Sequence, residues 1–153
     1  MFSEHGLYII SDKFFERFPR DEWVSNKSQS RPFYFAIRKD DLLWMIPLTT
    51  KTDKIKEKIK RIEEKKGEGK CLYYDVGLIA GIERGFKIGD IFPITEEYIV
   101  RAYTIKEKPY VVQDKNLIER IERKAKSFIN MVENGWIKSS INIVEIKAEL
   151  LRK

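Results

Sequence analysis

Three hydroxyls and two ammonium groups fall within the short run Thr49-Thr50-Lys51-Thr52-Asp53-Lys54. It follows the apolar run from Leu42 to Leu48 and leads into a periodic basic segment, so it stands where a strand ends and a helix begins. Backbone N–H groups and the dipole at a helix N-terminus favour an anion, and here the hydroxyls and cations would share that small volume with a phosphate. The plain alternative is that Thr49 and Thr50 finish a strand and Thr52 caps the helix.

Other chemistries are short of residues. The only histidine, His5, lies near the N-terminus and reads as a solvated terminal residue, so neither a histidine acid–base pair nor a His-rich metal site can form within one chain. One cysteine, Cys71, excludes an intramolecular disulfide and a multi-thiolate zinc site, and it suits a reducing compartment, the cytoplasm by default. Gly67-Glu68-Gly69-Lys70-Cys71 lacks the spacing and the Ser/Thr of a phosphate-binding P-loop. Asp40-Asp41 reads as a turn and not as a ligand pair, and Gly77, Gly81 and Gly85 also read as turns. No cofactor and no metal are expected. No signal peptide and no membrane span are expected either, because charged residues interrupt every apolar run well short of ~20 residues.

Stepping outward from the hydroxyl run, the charge is unevenly placed. The 153 residues carry 30 Lys and Arg against 24 Asp and Glu, a net +6. Residues 51–70 alone hold nine basic and five acidic side chains, which is +4 of that excess. This points toward a polyanion, although a solvated helical face would give the same count. Lys54, Lys56, Lys58, Lys60, Arg61, Lys65 and Lys66 flank the apolar positions Ile55, Ile59 and Ile62, the spacing of an amphipathic helix over 51–66. Some of these cations sit four residues from Glu57 or Glu64 and can pair within the helix. Tyr34, Trp44, Tyr73 and Tyr74 lie on flanking strands, where they could stack exposed bases or simply fill a core.

The positioning elements read as follows. A short strand over 6–10 precedes a helix over 12–18, capped by Ser11 and stopped by Pro19. A polar loop over 25–32 opens onto a strand over 33–38, which pairs through Lys39-Asp40-Asp41 with a second strand over 42–47. Strand candidates follow at 71–76 and 78–80, a turn at 81–85, an irregular bulged segment at 86–94, and weaker strands at 97–104 and 110–113. Asp114 caps a long helix with a stripe of Leu117, Ile121, Ala125, Phe128 and Val132, ended by Asn134-Gly135, and the tail from Ile137 leans helical. The length is that of one domain, and the composition of 42% hydrophobic residues with 9 Phe, 7 Tyr and 3 Trp excludes disorder. The expected architecture is α+β, with a small, strongly bent antiparallel sheet and helices packed outside it.

The order of parts resembles a family. Leu7-Tyr8-Ile9-Ile10-Ser11-Asp12-Lys13-Phe14-Phe15, then Arg31-Pro32-Phe33-Tyr34-Phe35-Ala36-Ile37, then Trp44-Met45-Ile46-Pro47-Leu48-Thr49-Thr50-Lys51, with Tyr73-Tyr74-Asp75-Val76-Gly77 and Ile91-Phe92-Pro93-Ile94 behind, is similar to the RNA-cleaving toxins of type III toxin–antitoxin systems. These form the ToxN, CptN and TenpN class, and the CptN branch is the nearest. The resemblance runs from about Gly6 to Leu151 and is carried by the order of short motifs.

It implies a compact bent-sheet barrel like that of the MazF and Kid toxins, and metal-independent endoribonuclease activity. In that chemistry the ribose 2′-OH attacks its own 3′ phosphate, leaving a 2′,3′-cyclic phosphate and a 5′-OH. The family's active-site Thr-Ser pair after Pro-Leu corresponds to Thr49 and Thr50; Thr50 stands where the better-known branch has serine, and the proline that follows there is Lys51 here. The resemblance thus assigns Thr49 and Thr50 to positioning and proton transfer, and Lys51 or Lys54, with Arg31, to phosphate charge. Tyr34 and Lys27 are implied as RNA contacts, and the basic helix as the wall of the site. The implied partners are substrate RNA and a small pseudoknotted RNA antitoxin, cut by the toxin from a repeated precursor and closing with it into an RNA-bridged assembly. Two other readings stay open: a non-catalytic RNA-binding module using the basic helix, and an interaction domain whose charge serves solubility.

Overall fold

The chain runs β1 (Leu7–Ile10), α1 (Asp12–Arg17), β2 (Pro32–Lys39), β3 (Leu42–Thr49), α2 (Thr52–Lys66), β4 (Asp75–Ile79), β5 (Ile82–Phe86), β6 (Phe92–Ile94), β7 (Ile99–Ala102), β8 (Thr104–Ile105), β9 (Lys108–Pro109), α3 (Lys115–Glu133) and α4 (Ile143–Leu151). The order is taken from a computed structural model that describes residues 2–20, 23, 26 and 29–152.

The β2–β3 hairpin is the centre of the sheet. Lys39 pairs with Leu42, so only Asp40 and Asp41 form the loop, and both have positive φ, 56° and 60°. That is the geometry of a type I′ turn, whose twist matches the flanking strands. Asp tolerates the left-handed region better than most residues, which is why an Asp-Asp pair works here. A bulge at Ala36 shifts the register between Phe35 and Ile37 and adds twist. The other side of β3 is shared: β6 pairs with Leu43–Met45, and β5 pairs with Leu48 and Thr49.

All named pairings are antiparallel, in the order β4-β5-β3-β2-β1-β7, and the path is open. The sheet is nevertheless bent until its ends meet, because the Ala80 N–H in the β4–β5 turn donates to Tyr110 Oη, just beyond β9, at 2.8 Å. The expected α+β class with a bent antiparallel sheet holds, and the sheet is not closed by a strand ladder among the described residues.

Helices cover the outside. Ser11 caps α1 through the Lys13 N–H, and Asp114 caps α3 through the N–H groups of Asn116 and Leu117. Leu117, Ile121, Ala125, Phe128 and Ile129 of α3 join a core that contains Trp44, Phe14, Phe33, Phe35, Phe86 and Phe92. Asp75 is buried under α3 and held by Arg120 at 3.2 Å and Lys124 at 3.2 Å, so its charge is compensated.

Two glycines expected in turns lie inside strands. A Cβ on Gly77 would come within 2.3 Å of Leu117, and one on Gly85 within 2.9 Å of both Ile55 and Thr49. Helices approach the hairpin too closely for a side chain there, and only Gly81, with φ 80°, serves the turn, next to Ala80 at φ 51°. His5 is not a loose terminal residue either: its N–H donates to Phe35 O, its carbonyl accepts from the Val112 N–H, and its ring stacks near Tyr34.

Candidate active site

The end of β3 delivers the hydroxyl run into a cleft of about 690 Å³. Thr49, Thr50 and Lys51 line it on one side, and Ser30, Arg31 and Pro32, at the entry to β2, line it beside them. The hairpin register accounts for this meeting. Phe33 pairs with Pro47, so continuing the ladder by two residues sets Arg31 across from Thr49. The Arg31 guanidinium donates to Leu48 O at 3.0 Å, which fixes it against the strand end. Burial draws its pKa down from the ordinary arginine value, but a guanidinium starts so high that it stays cationic.

The turn out of β3 is held locally. Thr49 Oγ1 accepts from the Lys51 N–H at 3.2 Å, and Thr50 O accepts from the Thr52 N–H at 2.9 Å. Thr50 and Lys51 are exposed at the mouth. The expected cap does not form: Lys51 occupies the N-cap position without a side-chain hydrogen bond, and Thr52 turns its hydroxyl to Glu83. The N-terminus of α2 therefore starts beside the cleft without a side-chain cap from Lys51.

The body of α2 is elsewhere, and this corrects the expectation that the basic helix forms the wall of the site. Alternation along β5 puts Glu83 and Gly85 on one face and Ile82 and Arg84 on the other. The helix packs on the first face, where Ile55 meets Gly85 and Lys56 pairs with Glu83 at 2.8 Å, while Ile82 and Arg84 of the second face line the cleft; Thr49, paired with Gly85, stands where α2 and the cleft meet. Lys56, followed by Thr52, holds the Glu83 carboxyl below the usual carboxylate range. Lys54 is exposed in the first turn of the helix and does not line the cleft. Arg61 pairs with Glu57, and Lys58 lies over the Tyr74 ring at 5.4 Å. Lys60, Lys65 and Lys66 are exposed on the same helix.

Tyr34 is also corrected. It is 1% exposed, packed edge-on against Phe86, and burial, followed by the charges of Glu122 and Glu4, pushes its phenol well above the ordinary range. Trp44 is fully buried with its indole N–H on Lys39 O. Neither can stack an exposed base. Lys27 lies outside the described residues.

Sequence reasoning missed Arg84, Tyr103 and the apolar side of the cleft, formed by Leu7, Ile79, Ile82 and Ile105 among others. Reading 81–85 as a turn hid Arg84; reading it as a strand puts Arg84 in phase with Ile82 and Phe86. Tyr103 carried no local signal, because it reaches the cleft only when the sheet curls. Its N–H donates to Leu7 O at 2.8 Å, across from the β4–β5 hairpin.

The described residues that line the cleft supply hydroxyls, Arg31, Lys51, Arg84 and apolar groups, with no carboxylate and no imidazole among them. No cluster of three or more His, Cys, Asp or Glu side chains able to hold a metal occurs among the described residues, nor any helix long and apolar enough to cross a membrane. A curled antiparallel sheet with outer helices, carrying a cationic hydroxyl cleft at the end of a central strand, defines the class. No protein-family model matches the sequence, and no curated protein matches it. Solved structures do. The chain is similar to AbiQ, a lactococcal anti-phage endoribonuclease of the type-III toxin–antitoxin system, with a TM-score of 0.66 and 12% identity over 97% of this chain and 98% of that one. It is also similar to a protein from a bacterial antiviral system regulated by a processed non-coding RNA, with a TM-score of 0.63 and 16% identity over 95% and 96% of the two chains. At these identities the likeness establishes the shared fold.

Proposed function

We propose that the protein is a metal-independent endoribonuclease toxin of a type III toxin–antitoxin system. One observation carries this reading: Thr49, Thr50, Lys51, Arg31 and Arg84 share one cleft, and among the described residues that line it there is no carboxylate or imidazole. Such a lining attracts a phosphodiester and has no evident place for a hard cation, and the fold is shared with an anti-phage endoribonuclease.

The reaction transfers the 3′ phosphate onto the neighbouring ribose 2′-OH. The 2′ oxygen gains a bond to phosphorus and loses its proton, the P–O5′ bond breaks, and the 5′ oxygen takes a proton. Products are a 2′,3′-cyclic phosphate and a 5′-OH. Arg31 and Lys51 would neutralise the extra charge of the phosphorane, with Arg84 lining the same cleft. Thr49 and Thr50 would hold the phosphate and its proton-exchanging oxygens in line. Lys54 would act at longer range on the incoming strand. The exposed cations of α2 would track the RNA outside the cleft, with a structured RNA antitoxin as the inhibitory partner. The second solved relative, from a system that a processed non-coding RNA regulates, supports that partner class.

Incubation of the purified protein with mixed RNA, with and without EDTA, followed by mapping of the product ends, tests the reading. Cyclic phosphate ends that form equally in EDTA, and that disappear in Thr50→Ala while its thermal melt is unchanged, are expected. Intact RNA that is bound but not cut would leave the non-catalytic RNA-binding module, and cleavage blocked by EDTA would reject the metal-free route.

A further inference from the structure

The cleft has a second half that phosphate chemistry does not use. Besides the hydroxyls and cations, the cleft is lined by Ile79 and Ile82 from the β4–β5 hairpin and by Tyr103 and Ile105 from the β7–β8 segment. These segments lie at opposite ends of the strand order and meet only because the sheet curls. Ile82 is 56% exposed, a large aliphatic side chain held at the rim of a cationic cleft. The rim is fastened from both sides, by the Ala80 N–H to Tyr110 Oη and by the Tyr103 N–H to Leu7 O.

We propose that Ile79, Ile82, Tyr103 and Ile105 form a binding site for one nucleobase next to the phosphate held by Thr49, Thr50 and Arg31, and that this site sets sequence preference. The assignment rests on the endoribonuclease reading for the place of the phosphate, and on charge complementarity for the class of ligand. A polyanion drawn in by Arg31, Lys51 and Arg84 must put something against the apolar wall, and in single-stranded RNA the group beside each phosphate is a flat base. Aromatic and aliphatic surfaces take such a face by stacking and apolar contact, and every base offers one. Discrimination then comes from the depth and shape of the pocket between the two strand pairs.

Binding of short, non-cleavable strands scores this apart from catalysis. The probes are four 2′-deoxy hexamers, one of each base, and a hexamer of abasic units with the same phosphate count, each titrated by fluorescence anisotropy. Without the 2′-OH none can be cut by the proposed route. At least one base hexamer should bind about tenfold more tightly than the abasic strand. In Ile82→Ser, at an exposed position, and in Tyr103→Leu, which keeps apolar volume, the gap should shrink to about threefold or less while abasic binding holds. Arg84→Gln should weaken every probe alike. Equal binding of base and abasic strands by the unaltered protein, or an unchanged gap in both folded variants, overturns the nucleobase site. A protein that shows the gap but cuts no RNA keeps the site and loses the endoribonuclease reading.

Discussion

Gly85 is the point where fold and site touch, and replacing it by alanine tests both. A methyl there would lie 2.9 Å from Thr49 Cγ2 and 2.9 Å from Ile55 Cγ1, where ordinary contact begins near 3.4 Å. About half an ångström must be found, and neither neighbour can yield freely. Both are β-branched, Ile55 is the buried residue of α2, and the Thr49 backbone is paired across the ladder with Gly85 itself. Overpacking of this kind costs about 1–3 kcal/mol, and relief of glycine's unfolded-state entropy returns somewhat less than 1 kcal/mol. A net loss near 1–2 kcal/mol should lower Tm by about 3–8 °C in a chain of this size. A misplacement of 1 Å can cost about a hundredfold in rate, so a shift of half that at Thr49 should slow RNA cleavage about tenfold. Thr49→Ser removes the obstructing methyl and keeps the hydroxyl. The double variant Thr49→Ser, Gly85→Ala should therefore be more stable than the sum of the two single changes by about 0.5–1 kcal/mol, read from urea melts. Strict additivity, or a Gly85→Ala protein with full stability and full cleavage, would refute the packing argument.

Three further outcomes follow from the same geometry. Tyr110→Phe should speed hydrogen exchange of the Ala80 amide and cost about 1 kcal/mol, because it removes the bond across the seam of the curled sheet. Lys51→Ala should depress the cleavage rate, whereas joint neutralisation of Lys60 and Lys65 should leave that rate unchanged and flatten the salt dependence of RNA binding by about two units of slope. Asp40 is bonded first to Lys147 and then to Lys39, which hold its carboxyl below the usual range. A depressed acid stabilises the fold above its unfolded pKa, about 3.9, and loses that contribution as pH falls through the folded value. Solvent screens this exposed pair to about 0.5 kcal/mol, so Asp40→Asn should differ from the parent in urea melts at pH 6 and converge with it below about pH 3.

The local elements were legible because local chemistry makes them. The caps Ser11 and Asp114, the stripe from Leu117 to Phe128, the Asp40-Asp41 turn and the period of Ile55, Ile59 and Ile62 all act within a few residues. The sequence by itself also brought together one side of the cleft: Thr49, Thr50 and Lys51 are neighbours in the chain, and Arg31 follows from the register of one hairpin. It also limited imidazole and thiol chemistry, since the chain has one histidine and one cysteine. What lay beyond a hairpin's reach was decided by tertiary structure. Gly77 and Gly85 look like turns until helices are packed against them. Tyr34 and Trp44 look like base platforms until the sheet closes over them. The basic helix looks like the wall of the site until it packs against Gly85 and Glu83, while Arg84, one residue from each, lines the cleft. Tyr103 and Ile82 come together only through the curl of the sheet, because twist accumulates over all its strands and is written in no single segment.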